Sequence, residues 1–527
     1  MAAAGDGPAS APATMSRVLR APTAGLTFEA LYYPDLLHAV NSHGDVGIVT
    51  LWSPWRTVRR KLEQISPDIL DPAASRVAVV ANLYGDGLHA MLCNLLYNPQ
   101  VRHLIAIGQD MGQSTCADIE AFLRDGLEDS VVMGRRVERI RGTDRILPRA
   151  PGFDADRLRQ TVSFRYLGRL SRPELAGELT DCLDDLPRDD AGVADRLRVD
   201  VATGVPDDYE YRPSEVAAHQ VVRRRPLDCW QELVVRAARF GRPVELAGGP
   251  RLELLNARAV ITDPAPDPPE ALAELGFDAA RFERYQRAVV DPVLPEGISY
   301  TYGHRLRAYF DQPGGGGDSL AAAADVLRRD PESRRAFVSL WDTSADLPGT
   351  TGDTPCLATL FFRRADGRLS LTATYRAHNL LTAWLENVYG LMAVQRWVAA
   401  RAGMEPGQIT VISHSLGIDP RSPRYELART IADGWTRDDD VDRAAGKYEL
   451  REDPNGYFVV SADSDRGVIV AEHRFAGVLV KRYEAERAVT IEQQVAADMA
   501  VTLVSHALWL GRELTAREIA LRSGRGA

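Results

Sequence analysis

Cysteine is scarce in this chain: Cys93, Cys116, Cys182, Cys229 and Cys356 are the five in 527 residues, widely spaced and without a Cys-x-x-C pair. An odd, dispersed set excludes a disulfide framework and a cysteine-based zinc site, and it suits a reducing compartment. Long apolar runs are also missing, and none approaches the roughly 18–20 residues needed to cross a bilayer. Residues 1–25 are small and Ala/Pro-rich, with no apolar stretch of the kind a secretory leader carries, so they are expected to form a disordered tail. A third absence is a basic surplus. Lys and Arg total 63 against 73 Asp and Glu, a formal net charge of −10, which argues against general nucleic-acid binding through phosphate neutralisation. The expectation is a cytoplasmic protein with neither membrane nor nucleic acid as partner. A small anion can still be held on an acidic protein by a local cluster of arginines.

What is present is an ordinary globular composition, 45% hydrophobic and 26% charged. At roughly 150 residues per domain the length calls for three to four domains. From 26 to 185, apolar runs at Val46–Leu51, Val77–Asn82 and His103–Gly108 alternate with helical patterns at Leu88–Tyr97 and Cys116–Asp125, which predicts a parallel α/β, Rossmann-like layer. Residues 186–213 are acidic and proline-containing and read as a linker. A second segment, 214–437, opens with an amphipathic helix over Asp228–Phe240. The third, 440–527, places strands at Tyr457–Ser461, Gly467–Glu472 and Gly477–Tyr483 before a helix from about Thr490 to Leu510 and a shorter one after it, a small α+β unit.

The chemistry concentrates in the middle segment. Thr354-Pro355-Cys356-Leu357 precedes a strand-like run (Ala358–Phe362), a turn at Asp366-Gly367 and a second strand (Leu369–Tyr375). A cysteine at a strand entrance can present a thiolate to a pocket or simply be buried. Its neighbours favour the first. Arg334 and Arg335 follow Ser333 upstream, and Arg376, Asn379 and Asn387 lie downstream. Guanidinium forks suit phosphate, and an asparagine amide can pair with a ring carbonyl and N–H. A thiol with an ordinary pKa of about 8.5 would be more ionised at neutral pH beside guanidiniums.

With Tyr300-Thr-Tyr302-Gly303-His-Arg305-Leu-Arg307, Asp330-Pro-Glu-Ser333-Arg334-Arg335, Pro355-Cys356, Tyr375-Arg376-Ala-His-Asn379, Asn387-Val-Tyr-Gly390 and Gly407–Ser413 in this order, the segment resembles the thymidylate synthase family, in particular its shorter archaeal-type branch. The resemblance implies a thymidylate-synthase-type α/β sandwich and an obligate homodimer. It implies that Cys356 adds to C6 of a pyrimidine nucleoside monophosphate and that Arg376 binds the phosphate. Ser333, Arg334 and Arg335 would lie at the phosphate site, the two arginines reaching that of the partner. Asn387 would read the O4/N3 edge of uracil. Asn379 would face the co-substrate, 5,10-methylenetetrahydrofolate or a related reduced pterin.

The chain departs from the family pattern in several places. Leu357 stands where most members have histidine, Ala377 replaces a phosphate-binding serine, and Asn379 replaces an aspartate that holds the pterin. Gly417-Ile418-Asp419 falls on the sugar-binding His-x-Tyr, with His414 nearby as a substitute or a packing residue. Glu270 and Glu274 are the candidates for the glutamate that organises the catalytic water. Three outcomes therefore stay open: a methyltransferase making dTMP from dUMP, a pyrimidine nucleotide 5-hydroxymethylase, and a non-catalytic nucleotide- or pterin-binding regulator. The first segment, through Arg76–Gly87 and Asn98–Gly108, resembles the corrinoid-binding component of tetrahydromethanopterin S-methyltransferase. That family's axial histidine is absent from the loop Gly108-Gln-Asp-Met-Gly112-Gln113, so a corrinoid is not expected. The third segment resembles a domain of unknown function, in which His506 is read as a packing residue.

Overall fold

The computed structural model describes residues 17–19, 26–83, 87–110, 115–187, 194–200, 211–296, 298–310, 317–347, 354–435, 440–442, 447–449 and 452–524. Residues 84–86 and 111–114, most of the expected linker and most of the expected tail lie outside them. The chain divides into two compact units, Met1–Glu210 and Tyr211–Ala527. No helix among the described residues is long and apolar enough to cross a membrane.

In the first unit, β1 (Val46–Val49) lies between β2 (Val77–Ala81) and β3 (His103–Ala106), and β4 (Ser163–Tyr166) pairs with β3. All four are parallel, and Leu37–Ala39 adds antiparallel to β2. Every residue of β1 and β3 is buried, as expected for strands covered on both faces. The expected parallel layer is present, with α1 (Gly87–Tyr97) as the crossover from β2 to β3. Arg17–Leu19, within the expected tail, pairs antiparallel with Arg196–Arg198, within the expected linker. Both stretches therefore contain paired backbone.

The second unit holds a seven-stranded mixed sheet. Its main path runs β5 (Gln220–Arg223), β6 (Gly249–Ile261), β10 (Pro406–Ile418), β9 (Arg368–Asn379), β8 (Leu357–Ala365), β7 (Phe337–Ser339), with Arg242–Leu246 on β6. The β8–β9 hairpin turns on Asp366 and Gly367, both at positive φ (50° and 77°). That is the two-residue turn whose twist matches antiparallel strands, and Asp-Gly is among its preferred sequences. β9 and β10 run parallel, so a crossover must join them. The 19-residue helix α6 (Trp384–Ala402) supplies it. Leu369, Leu371, Ala373 and Tyr375 alternate into a core shared with α6, α2 (Pro226–Phe240) and α5 (Ser319–Arg329). Two shorter helices, α3 (Ala279–Ala288) and α4 (Tyr302–Arg307), also pack on this core.

Residues 452–524 form a three-stranded antiparallel sheet, β11 (Tyr457–Asp463), β12 (Val468–Phe475) and β13 (Val478–Ala485), followed by α7 (Ala488–Ala497) and α8 (Val504–Gly524). The single helix expected from Thr490 to Leu510 is two, and the later one is the longer. Met499 takes φ 50°. The Asp453 carboxylate accepts the Thr502 N–H (2.8 Å), the Thr502 hydroxyl (2.7 Å) and the Leu503 N–H (3.0 Å), capping α8 from about fifty residues away. His506 Nδ1 meets the same carboxylate at 3.1 Å. Burial pushes this carboxyl up, but the N–H groups of Leu503, Asn455 and Thr502 and the Thr502 hydroxyl outweigh it and hold it well below the usual range. A depressed folded pKa stabilises above the ordinary carboxylate range, and the benefit is lost as pH falls through the folded value. Asp453→Ala should therefore cost about 1–2 kcal/mol at neutral pH, with the gap to wild type narrowing in acid. Equal melting midpoints at neutral pH would contradict the cap.

Candidate active site

Cys356 is half-buried at the entrance to β8. One residue later the β8–β9 register slips between Leu357 and Thr359, a bulge at Ala358 of the kind that re-aims neighbouring side chains. The approach segment is fixed from two sides. The Arg376 backbone N–H donates to the Cys356 carbonyl (2.9 Å). Its guanidinium donates to the Pro355 carbonyl (3.0 Å), the Thr354 carbonyl (3.1 Å) and the Thr354 hydroxyl (2.8 Å). Trp341 Nε1–H also donates to the Pro355 carbonyl (2.9 Å), and the Arg376 guanidinium lies over the Trp341 ring.

Cys356 opens onto a cavity of about 550 Å³ whose wall also includes Tyr285, Tyr300, Tyr302, His378, Asn379 and Asn387, with Val289 and Ile298 as apolar lining. That volume and mixture of aromatic, apolar and few polar groups suit a small-molecule site. Of the residues singled out from sequence, Cys356, Asn379 and Asn387 share this wall. Arg376 stands beside it through its contact with Cys356, while Ser333, Arg334 and Arg335 lie elsewhere, on the turn entering β7. Ser333 is buried and its Oγ accepts the Arg335 N–H (3.4 Å); both arginine side chains are exposed. Asn379 is exposed, and its Oδ1 accepts the N–H groups of Leu381 (3.1 Å) and Thr382 (3.3 Å), turning the chain toward α6.

Tyr285, Tyr300, Tyr302 and His378 were not singled out from sequence as site residues. Tyr302 lies inside a string that carries the resemblance, so its position was a usable signal. Tyr285 had none, since nothing in the arginine-rich helix α3 marks it. Its ring rests on Gly390 of α6, where a Cβ would come within 2.6 Å of it. Its hydroxyl donates to Asn387 Oδ1 (2.7 Å), Asn387 Nδ2 meets His378 Nε2 (3.0 Å), and His378 Nδ1 meets Ser413 Oγ (2.9 Å). Burial drives the His378 imidazole down to about 3, so it is neutral. Burial also raises the phenols of Tyr285 and Tyr302 well above their ordinary value, and the nearby Cys356 thiol adds to both shifts.

Two expectations need correction. Glu270 and Glu274 are exposed on a short helix, Pro269–Glu274, and do not line the cavity. Among the described residues its wall has phenols and amides where a carboxylate was sought. His414 does not line it either; it is exposed, with Nδ1 3.0 Å from Asn256 Oδ1. Asp419 pairs with Arg251 (2.8 Å) and Arg421 (3.1 Å), and the Arg421 hydrogen bonds hold its carboxyl down to about 2. Leu357 is buried in the core, its N–H 3.4 Å from the Tyr302 hydroxyl. Among the described residues no cluster of three His, Cys, Asp or Glu side chains could hold a metal.

The segment that carries this cavity is similar to known proteins. The thymidylate synthase family model matches residues 282–418, and a model named PterinBD-DUF4346 matches 452–526. A protein of Methanopyrus kandleri is 33% identical over 193 residues, 36% of this chain and 88% of its own length. One from Methanothermobacter thermautotrophicus is 41% identical over 123 residues, 23% of this chain and 52% of its own. Both carry the name "Putative thymidylate synthase". A deoxyuridylate hydroxymethyltransferase of Pseudomonas phage M6 is 32% identical over 132 residues, 24% of this chain and 35% of its own. Fold, site and relatives place the protein among the enzymes that transfer one-carbon groups. The chain belongs to the thymidylate synthase family.

Proposed function

We propose that this enzyme transfers a one-carbon unit to C5 of a pyrimidine nucleoside monophosphate, most simply converting dUMP to dTMP, with 5,10-methylenetetrahydrofolate or a related reduced pterin as donor. The observation that carries the reading is Cys356 and the Asn387 amide on the wall of one cavity. The Cys356 thiolate adds to C6 of the ring, and C5, made electron-rich, attacks the methylene carbon as one of its two bonds to the carrier's nitrogens breaks. Loss of the C5 proton and of the remaining carbon–nitrogen bond to the carrier then leaves an exocyclic methylene with the thiolate still on C6. Hydride from the reduced carrier completes a methyl group as the thiolate departs and the C5–C6 double bond re-forms.

Arg376 is the proposed phosphate ligand within its own protomer. Arg334 and Arg335 are proposed to reach the partner's phosphate in a homodimer, which their exposure on the turn entering an edge strand supports. Asn379 is proposed to face the pterin. The family match at 452–526 supports a pterin-type donor, and the parallel sheet of the first unit supports a Rossmann-like domain there. Cytoplasmic action fits five cysteines that form no disulfide.

A second reading, capture of the methylene by water to give a hydroxymethyl group, is favoured by the phage relative and by Gly417 and Asp419 in place of the sugar-binding pair. Mass spectrometry of the nucleotide product formed from dUMP and methylenetetrahydrofolate separates the two. The first reading expects dTMP, and a hydroxymethylated product overturns it in favour of the second.

A further inference from the structure

Asn387 does not stand alone in the cavity wall. It is the second link of a chain of four side chains running Tyr285, Asn387, His378, Ser413, with contacts of 2.7, 3.0 and 2.9 Å. The four come from α3, the first turn of α6, β9 and β10, and His378, Asn387 and Ser413 are all buried. Tyr285 is seated by the missing Cβ of Gly390, and His378 is stacked on Tyr375 with ring centres 4.0 Å apart. Neither Tyr285 nor His378 is free to drift.

This matters because an asparagine amide by itself has no preference between uracil and cytosine. Uracil offers an acceptor at O4 and a donor at N3; cytosine offers a donor at N4 and an acceptor at N3. Rotating the amide by half a turn exchanges its oxygen and nitrogen and so exchanges the base it matches. With the Tyr285 hydroxyl donating to Oδ1 and Nδ2 donating to the neutral imidazole, one N–H and one lone pair remain for a ligand in a fixed order. Turning the amide round would require the phenol to become the acceptor and the imidazole to move its proton to Nε2. The Ser413 hydroxyl would have to turn from acceptor to donor. The four groups switch together or not at all.

We infer that Tyr285, His378 and Ser413 are positioning residues that fix the orientation of the Asn387 amide and thereby set which pyrimidine the enzyme accepts. The inference rests on the proposed role of Asn387 in reading the base.

The test compares dUMP and dCMP binding by calorimetry in the full-length protein and in two variants, Tyr285→Phe and Ser413→Ala. The first keeps the ring on Gly390 and removes only the hydroxyl; the second breaks the far end of the chain. Wild type is expected to prefer dUMP, and each variant to reduce the dUMP-to-dCMP preference by about tenfold, the scale of one lost buried hydrogen bond. Near-wild-type melting would accompany this shift. A variant with a lowered melting point and an unchanged preference would overturn the inference by showing a purely structural role. Wild-type C5 exchange on dUMP, measured in parallel, reports separately on the proposed reaction. Exchange with an unshifted preference removes the positioning role alone, whereas no exchange and no pyrimidine binding by wild type removes both.

Discussion

Cys356→Ala is expected to reduce turnover of dUMP, and exchange of its C5 hydrogen, to the uncatalysed background, while nucleotide binding remains measurable. In the proposed reaction the thiol supplies the bond to C6 on which every later step depends, so its loss removes the covalent route and not a fraction of it. Binding persists because the phosphate and base contacts proposed here belong to other side chains. The remaining cysteines do not offer a substitute. Burial pushes the thiols of Cys93 and Cys116 up to about 12 and raises that of Cys229 well above its ordinary value, with the Asp110 carboxylate adding to the effect at Cys116. Cys182 is buried as well. A thiol-alkylating reagent applied to the folded protein should accordingly modify Cys356 first and abolish activity with it. Retained turnover in Cys356→Ala would show that the nucleophile is misassigned.

Arg305→Met is expected to destabilise the second unit by about 3–5 kcal/mol, the largest single stability effect anticipated for this protein. The Arg305 guanidinium makes a bidentate pair with Asp346, at 2.8 and 3.0 Å, and neither side chain keeps more than a few per cent of its surface. The same guanidinium lies 3.8 Å from the centre of the Tyr309 ring, and the Asp346 carboxylate also accepts the Asp342 N–H. Removing the arginine leaves a carboxylate buried without its counter-charge. Removing both, as in Arg305→Met with Asp346→Leu, should recover a large part of the loss, because the penalty lies in the orphaned charge. Equal destabilisation by the single and the double substitution in denaturant unfolding would contradict this. Activity should fall with stability, since α4 carries both Arg305 and the cavity residue Tyr302.

What could be read from sequence was local in the chain. The Asp366-Gly367 hairpin was legible because two adjacent residues dictate the turn, and Cys356 and Asn387 were legible because each sits in a short contiguous string. The relay behind Asn387 was not, because its hydrogen bonds join residues 102 and 35 positions apart as well as nine. Only the parallel register of β9 with β10 and the packing of α3 on α6 bring them together. The divided helix of the last domain has the same cause. No residue between Thr490 and Leu510 is a proline or glycine, so the break was invisible until Asp453 was placed against Thr502 and Leu503. Glu270 and Glu274 failed for the opposite reason: carboxylates in a suitable part of the chain carried no information about which way their helix faced.

The central claim, that Cys356 activates C5 of a pyrimidine nucleotide, is tested most directly by tritium release from dUMP labelled at C5, with the full-length protein and methylenetetrahydrofolate. Methyl and hydroxymethyl transfer both require loss of that hydrogen. The expected result is release to water by wild type and none by Cys356→Ala. No release by wild type from any C5-labelled pyrimidine nucleotide would contradict it.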